Sequence, residues 1–321
     1  MSATTRSSTG RCVEVQGPDE LTLATAPALG QAVARLLRER PSILWLNLEA
    51  AKVVDAVGLA VVAQAVHRAG ATGARCVVFP SHTVYRGLFQ VRLLDHLPID
   101  KRQAWERGTA DVVVEVEGTP PSLGAVPVGP GLRLARPTWD DLRLLETWAH
   151  DAGLGRMVGS QLLELGRHFG AYDPDFVAAC LASPTSLMFL VHPLASSAPV
   201  AGFVRLYGIN LGQRLAFLET VIAPPRRRRT AWGVEASRLM ARYAIDALGL
   251  HRLETKVYAD NVPCVNALRR HGFTLEGRLR GAHVRGGRRS DVLVFGIVEP
   301  EIRAGLPGDV PRMTLWPDER A

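Results

Sequence analysis

Residues 224–236 read PPRRRRTAWGVEA: four consecutive arginines lead into a turn of small residues and then into a helical pattern. The run before them, RLAFLETVIAP, is typical of a strand, and the run after them repeats apolar residues at helical spacing. A helix amino terminus offers unpaired N–H groups and a partial positive charge, and arginines add charge-assisted hydrogen bonds. A strand, a basic loop and a long helix in this order therefore predict a phosphate-binding site.

The arginine run fits a P-loop, a Rossmann fold or a nucleic-acid surface less well. No Gly-Lys-Ser/Thr follows the turn, so it is not a P-loop, and the chain has no GxGxxG motif for a Rossmann fold. A nucleic-acid surface usually needs a wider basic face with interleaved aromatic residues, whereas only Trp232 lies nearby. Nucleic acid is therefore disfavoured as a partner. Arg228 and Arg229 are the predicted phosphate contacts, whereas contact and simple solvation are equally consistent with Arg226 and Arg227.

Further motifs in the second half resemble the GNAT family of N-acetyltransferases over about residues 131–298. The family's acetyl-CoA loop reads Arg/Gln-x-x-Gly-x-Gly/Ala; residues 228–233 read RRTAWG, with Ala231 in place of the first glycine. The tripeptides ADN at 259–261 and HGF at 271–273 follow at the family's spacing. The run from GLHRLETKVYADN onward is most similar to the branch that includes ribosomal-protein N-terminal acetyltransferases.

The resemblance implies acetyl-CoA as cofactor and a primary amine as acceptor: a protein amino terminus, a lysine side chain or a small amine, with a protein mildly favoured. In the family, backbone N–H groups of a splayed strand bind carbonyl groups of the cofactor, and the basic loop binds the pyrophosphate. Residues at the start of a later helix, where Asn261 and Cys264 stand here, cap that helix and contact the pantetheine arm. The implied cofactor-binding residues are Val221, Ile222, Ala223, Arg228, Arg229, Thr230, Ala231, Trp232, Gly233, Asn261 and Cys264.

Glu219 is the predicted general base, because it lies two residues before Val221 and therefore on the same face of the strand. Burying a carboxylate in an apolar strand is costly and favours its neutral form, which suits a base that works near neutral pH. The alternative is that Glu219 faces solvent or an arginine. His251 and Glu254 are weaker candidates. Many relatives have a tyrosine general acid where Leu268 stands here, so that role is unfilled or falls to water.

The first half alternates strand and helix patterns, which predicts a small sheet with helices packed on it, and Ser81 is predicted to cap the last of these helices. Its runs DELTLATAPAL and VVDAVGLAVV resemble the STAS domain of anti-sigma factor antagonists over residues 11–99. In that family the turn reads Asp-Ser-x-Gly-Leu, and a partner kinase phosphorylates its serine. Ala56 stands at that position, so this switch is chemically impossible, although a docking role for the domain is still implied. Asp55 is predicted to be a helix N-cap, with partner binding as the alternative.

These patterns predict an α/β (α+β) protein with a STAS-like domain at 1–102, a linker at 103–129, a GNAT domain at 130–300 and a loosely ordered tail at 301–321. The net charge of +7 favours polyanionic partners. We expect a cytoplasmic protein without a membrane anchor, because no signal peptide or long apolar run is visible. Scattered cysteines without a CxxC pair suggest neither a disulfide framework nor a metal site, and they fit a reducing cytosol: Cys12, Cys76, Cys180 and Cys264.

Two functional hypotheses follow. The first is an acetyl-CoA-dependent N-acetyltransferase with a regulatory or docking STAS domain. The second is a non-enzymatic interaction protein with a degenerate GNAT domain, which binds an anti-sigma-like partner. The substitutions at Ala56, Ala231 and Leu268 support the second hypothesis, and loss of acetyl-CoA binding would distinguish it from the first.

Overall fold

The computed structural model of the 321-residue chain describes residues 11–100, 109–116, 127–157, 159–194, 198–223, 231–285 and 287–305. These residues form two compact units, and the second comprises the described residues from 127 onwards. Both units mix helices with sheets, which confirms the predicted fold class. No helix among these residues is long and apolar enough to cross a membrane.

The first unit alternates strands with helices, as its apolar pattern predicts. Its elements, in chain order, are β1 (Cys12–Gln16), β2 (Glu20–Leu21), α1 (Ala26–Arg38), β3 (Ile43–Leu48), β4 (Val53–Val54), α2 (Ala56–Ala71), β5 (Arg75–Pro80), α3 (His82–Gln90) and β6 (Val112–Glu115).

The main sheet of the first unit is parallel, with strand order β5-β3-β1-β6, and β2 pairs separately with β4. Helix α1 is amphipathic and buries Leu29 and Val33, whereas α2 is apolar on most sides and its first seven residues are all buried. Ser81 caps α3 as predicted, since its Oγ accepts a hydrogen bond from the Val84 N–H at 3.1 Å.

Strand β6 lies inside the segment that the sequence suggests is a linker. It pairs in parallel with β1, from Val13↔Val112 to Gln16↔Glu115. Only alternate residues of this four-residue strand are partly buried, so its apolar signal is short and is followed at once by Pro-rich and Gly-rich sequence. The first unit therefore extends beyond residue 102, and the rest of the predicted linker lies mostly outside the described residues.

The second unit contains the longer strands of the chain. Its elements are β7 (Leu132–Ala135), α4 (Leu142–Ala149), α5 (Ala152–Met157), α6 (Gln161–Phe169), α7 (Pro174–Leu181), β8 (Ser186–Pro193), β9 (Gly202–Asn210), β10 (Leu215–Ile222), α8 (Trp232–Asp246), β11 (Arg252–Tyr258), α9 (Val262–Arg270), β12 (Thr274–Arg285), β13 (Arg288–Val298) and α10 (Glu299–Ala304).

Seven strands of this unit form one mixed sheet in the order β12-β13-β11-β10-β9-β8-β7. β7 to β10 form an antiparallel meander, β10 and β11 are parallel, and β12 with β13 form a final hairpin. Helices α4, α6 and α7 share one core cluster with strand residues, in which Gly166 lies against the ring of Phe176 and Trp148 stacks on Phe203. The start of the predicted loosely ordered tail is helical: α10 includes residues 301–304, and its Ile302 is buried.

Candidate active site in the second unit

The central feature of the second unit is the divergence of two parallel strands. β10 and β11 are in register from Leu215↔Arg252 to Phe217↔Glu254, and no pair follows, although β10 stays paired with β9 as far as Ile222↔Gly202. The separation opens a cleft of about 940 Å³. Six of the predicted site residues line it: Glu219, Val221, Ile222, Gly233, Asn261 and Cys264.

The backbone of β10 presents alternate N–H groups to its two sides. The Ala223 N–H donates to the carbonyl oxygen of Ala201 at 2.9 Å, on the β9 side. Because N–H directions alternate along an antiparallel strand, the Val221 N–H points the same way and the Ile222 N–H points towards the diverging β11. Among the three predicted backbone contacts, Ile222 therefore has the orientation that a ligand in the cleft requires.

Helix α8 begins beside the open edge of β10. Ala231 occupies the N-cap position, Trp232 is the first helical residue, and a Cβ added to Gly233 would lie 3.3 Å from Ile222. The helix is fixed to the strand by a 2.8 Å hydrogen bond between the hydroxyl groups of Thr220 and Ser237. The helix amino terminus and the small residue therefore face the cleft, as the sequence predicts. Arg228, Arg229 and Thr230 lie outside the described residues.

Helix α9 forms the opposite wall. Asn261 is its N-cap and accepts a hydrogen bond from the Cys264 N–H at 3.4 Å. Burial raises the pKa of the Cys264 thiol to about 11, so the side chain is a neutral thiol near neutral pH. Leu268 also lines the cleft, so the position of the family's tyrosine acid carries an aliphatic side chain.

Three basic residues to which the sequence motifs assign no role line the cleft on α8 and at the end of α9. Arg238 donates a hydrogen bond to Nδ1 of His271 at 2.9 Å, and Arg270 lies one residue before this histidine. The pKa of His271 is lowered, first by burial and then by the charges of Arg238 and Arg270. Helical spacing could have indicated Arg238 alone, because it follows Ala231 by seven residues and therefore lies on the same face of α8 two turns later.

Glu219 faces an arginine, which is the alternative that the sequence leaves open. Its carboxylate forms an ion pair with the Arg205 guanidinium on β9, the residue directly opposite in register. The two side chains are 12% and 6% exposed. The guanidinium also lies over the ring of Tyr207, with 4.8 Å from Cζ to the centroid. Burial raises the pKa of Tyr207, and the Glu219 charge raises it further.

The same face of the sheet carries further aromatic groups. Tyr207 stacks on Phe217 with 5.2 Å between ring centroids, and the ammonium group of Lys256 lies 5.2 Å from the centroid of Phe217. Tyr258 stacks on His283 at 3.9 Å, and both line the cleft. The cleft therefore has one wall of aromatic and ionic side chains beside Glu219 and another wall of helix termini and basic groups.

In the first unit, Asp55 has the N-cap role that the sequence favours. Its carboxylate accepts hydrogen bonds from the N–H groups of Val57 and Gly58 at 2.9 Å and of Leu23 at 3.0 Å. The residue is 2% exposed, and Ala56 is fully buried. The Asp-Ala-Val-Gly turn therefore joins α2 to the segment before it. Asp55 has almost no exposed surface for a partner to contact.

Two protein-family models match the chain. A STAS domain model matches residues 2–104, and an acetyltransferase (GNAT) domain model matches residues 132–274. Both matches agree with the resemblances that the motifs predict. None of the curated proteins compared with the chain matches it significantly.

Several solved acetyltransferases are similar to the second unit. A point mutant of the spermidine N-acetyltransferase SpeG from Vibrio cholerae is 21% identical and has a TM-score of 0.42, with 53% of this chain and 96% of that chain covered. RimL, a ribosomal-protein α-N-acetyltransferase solved in complex with coenzyme A, is 17% identical with a TM-score of 0.45 and covers 54% and 97%. Each match spans little more than half of this chain.

Proposed function

Because the chain carries a STAS domain and a GNAT acyltransferase domain, we propose that it transfers the acetyl group of acetyl-CoA to a primary amine. The observation that carries the proposal is the divergence of β10 from β11, which opens a cleft between a strand edge and two helix amino termini. Acetyl-CoA supplies an acetyl group activated as a thioester. The chain's own residues bind this cofactor, hold the acceptor and move its proton.

The residues of the cleft fit this cofactor chemically. The edge of β10 at Ile222 suits hydrogen bonding to an amide-containing arm, as in a further strand. The start of α8 at Gly233 suits a diphosphate, since helix amino termini stabilise anions and glycine allows close approach. Asn261, Cys264, Ala231 and Trp232 are further proposed contacts, as are Arg228, Arg229 and Thr230, which lie outside the described residues. The N–H groups of Val221 and Ala223 point to β9, so Val221 is proposed to contribute its side chain, and the predicted backbone contact of Ala223 is not supported.

Glu219 is the proposed general base. Arg205 is its only hydrogen-bond partner within the described residues and engages Oε2, so Oε1 is left to accept the proton of an acceptor ammonium group. The arginine fixes the orientation of the carboxylate through a charge-assisted hydrogen bond. Leu268 cannot donate a proton to the leaving thiolate, so we assign that step to water.

We propose a protein amino terminus or a lysine side chain as the acceptor, with a small amine as the alternative. Support comes from the motif resemblance to the ribosomal-protein branch and from the wall beside Glu219. Arg205 already neutralises that carboxylate, and Lys256 adds a second cation on the same face of the sheet, over the Phe217 ring. This excess of positive charge disfavours a polycationic amine, because several ammonium groups need several carboxylates.

The STAS domain is proposed to dock a partner or a ligand. A groove of about 460 Å³ lies at the carboxyl ends of β1 and β6, where open parallel sheets commonly bind ligands. Gln16, Asp19 and Glu115 are among its lining residues. This groove is a better candidate than the turn at Ala56, because the turn is buried and lacks a hydroxyl group.

The test uses the full chain, acetyl-CoA and three acceptor pools: peptides with free amino termini, acetyl-capped lysine peptides and spermidine. Mass spectrometry identifies acetylated products, and calorimetry measures acetyl-CoA binding. Glu219→Gln should lower the transfer rate by about 10²–10⁴-fold while acetyl-CoA binding stays within a factor of three, as expected for a lost general base.

Asp246→Asn is the matched control, because Asp246 is also a buried carboxylate paired with an arginine but does not line the cleft. It should leave transfer unchanged. A wild-type protein that binds no acetyl-CoA would overturn the proposed function. Full activity in Glu219→Gln would remove only the assignment of the base.

A further inference from the structure

The basic group between α8 and α9 has no acidic counterpart. Within the described residues, neither Arg238 nor Arg270 has a carboxylate within 4.0 Å; Arg238 bonds the His271 ring, and Arg270 bonds the Asn266 carbonyl oxygen. Some arginines of this unit do pair with carboxylates, as Arg252 does with Glu276. The positive charges of Arg238 and Arg270 both act on His271 at the cleft wall, so an anion bound beside this ring would offset their mutual repulsion.

The hydrogen bonds of the group leave several donors for an anion. A guanidinium group can only donate, so Nδ1 of His271 accepts the bond from Arg238 and a neutral ring carries its proton on Nε2. Arg270 uses Nε for the Asn266 carbonyl oxygen, which leaves both terminal nitrogens available. The group therefore offers guanidinium and imidazole donors without an acceptor-bearing side chain, which is the complement of a phosphate.

The position of the group separates it from the predicted diphosphate site. Arg238 follows Trp232, the first residue of α8, by six residues, which corresponds to about 9 Å along the helix axis. An anion held there is therefore distinct from one at the helix amino terminus. Both positions border the same cleft, so a single ligand with two separated phosphate groups can occupy them together.

We propose that Arg238, Arg270 and His271 form a second anion site that binds the 3′-phosphate of coenzyme A, and that this site makes the enzyme select coenzyme A over its 3′-dephosphorylated form. The inference rests on the proposed function for the identity of the cofactor. A phosphate monoester is the favoured anion, because its charge of nearly −2 matches two arginines, whereas a carboxylate neutralises one.

The experiment measures binding of coenzyme A and of dephospho-coenzyme A by calorimetry to the full-length protein. Wild type should bind coenzyme A at least about tenfold more tightly, since hydrogen bonds to charged groups contribute enough for one or more powers of ten. Arg238→Ala/Arg270→Ala should remove this preference and leave affinity for dephospho-coenzyme A within a factor of three. Both arginines are exposed, so the variant should keep the fold.

Arg269→Ala is the matched control, because Arg269 lies on the same last turn of α9 and is exposed but does not line the cleft. It should retain the wild-type preference despite the loss of a positive charge. Equal affinity of wild type for the two ligands would overturn the inference while leaving the proposed function intact. Equal weakening of both ligands in the double variant would also overturn it, because the arginines would then act through general charge.

Discussion

The Arg205–Glu219 pair gives a prediction in which stability and catalysis can be separated. Both side chains are nearly excluded from solvent, at 6% and 12% exposure. Arg205→Met removes the counter-charge and leaves a buried carboxylate uncompensated, which typically costs about 3–5 kcal/mol. The double variant Arg205→Met/Glu219→Leu removes both charges and should be near neutral or more stable, because the desolvation cost disappears together with the attraction.

Native-state hydrogen exchange is a suitable assay, because it reports each unit separately in the intact chain. A loss of about 3–5 kcal/mol corresponds to exchange faster by about two to nearly four powers of ten in peptides from β9 and β10. Peptides from β3 in the first unit serve as the internal control and should not change. The double variant should restore slow exchange in β9 and β10 but should not restore acetyl transfer.

Two results would refute this reasoning. If Arg205→Met accelerates exchange by less than about tenfold, the pair is hydrated in solution and contributes no more than a surface ion pair. If the double variant restores acetyl transfer as well as stability, the Glu219 carboxylate has only a structural role. The second result would move the search for the base to the other polar groups of the cleft.

Two further predictions concern α2 and α9. Gly58→Ala should lower the free energy of unfolding of the first unit by about 1–3 kcal/mol or more, because the new Cβ would lie 2.0 Å from the Leu21 carbonyl oxygen. Gly70→Ala on the same helix is the control: its Cβ would have no atom within 4 Å, so thermal unfolding should show a gain of up to about 1 kcal/mol. The preference for coenzyme A over dephospho-coenzyme A should rise as pH falls from about 8 to 6, since the pKa of His271 is lowered in the free protein and a bound dianion raises it. In calorimetry, His271→Gln should flatten this pH dependence. An unchanged dependence in this variant would contradict the role of His271 in phosphate binding.

Much of the fold could be predicted from local patterns. The alternating runs of β1 and β3, the amphipathic period of α1 and the Ser81 cap are local signals, and the structure confirms each of them. Strand β6 was not predicted, although its three valines favour a strand, because the run is only four residues long and Pro-rich and Gly-rich sequence follows it. Its pairing depends on the exposed edge of β1, which is distant in the sequence.

The candidate site shows the same division. The positions of Gly233 and Asn261 follow from motifs that are contiguous in sequence, and both residues line the cleft. The partner of Glu219 could not be predicted, because Arg205 lies on another strand and meets it only through the register of β9 with β10. The cluster at His271 likewise depends on the packing of α8 beside α9, which no local period encodes.

The cleft itself begins where strand pairing stops, and residues distant in the sequence meet beside this point. β10 and β11 each continue as a strand for several residues, yet their pairing ends at Phe217↔Glu254. On the paired side of this point, the Arg252 guanidinium bonds Glu254 at 2.9 Å and Glu276 on β12 at 2.8 Å. Gly296 on β13 leaves room for this bridge, since a Cβ there would lie 2.4 Å from the Glu276 carboxylate. This ion cluster ties β11 to β12 across β13 at the end where β10 and β11 are still paired, and the cleft begins beyond it.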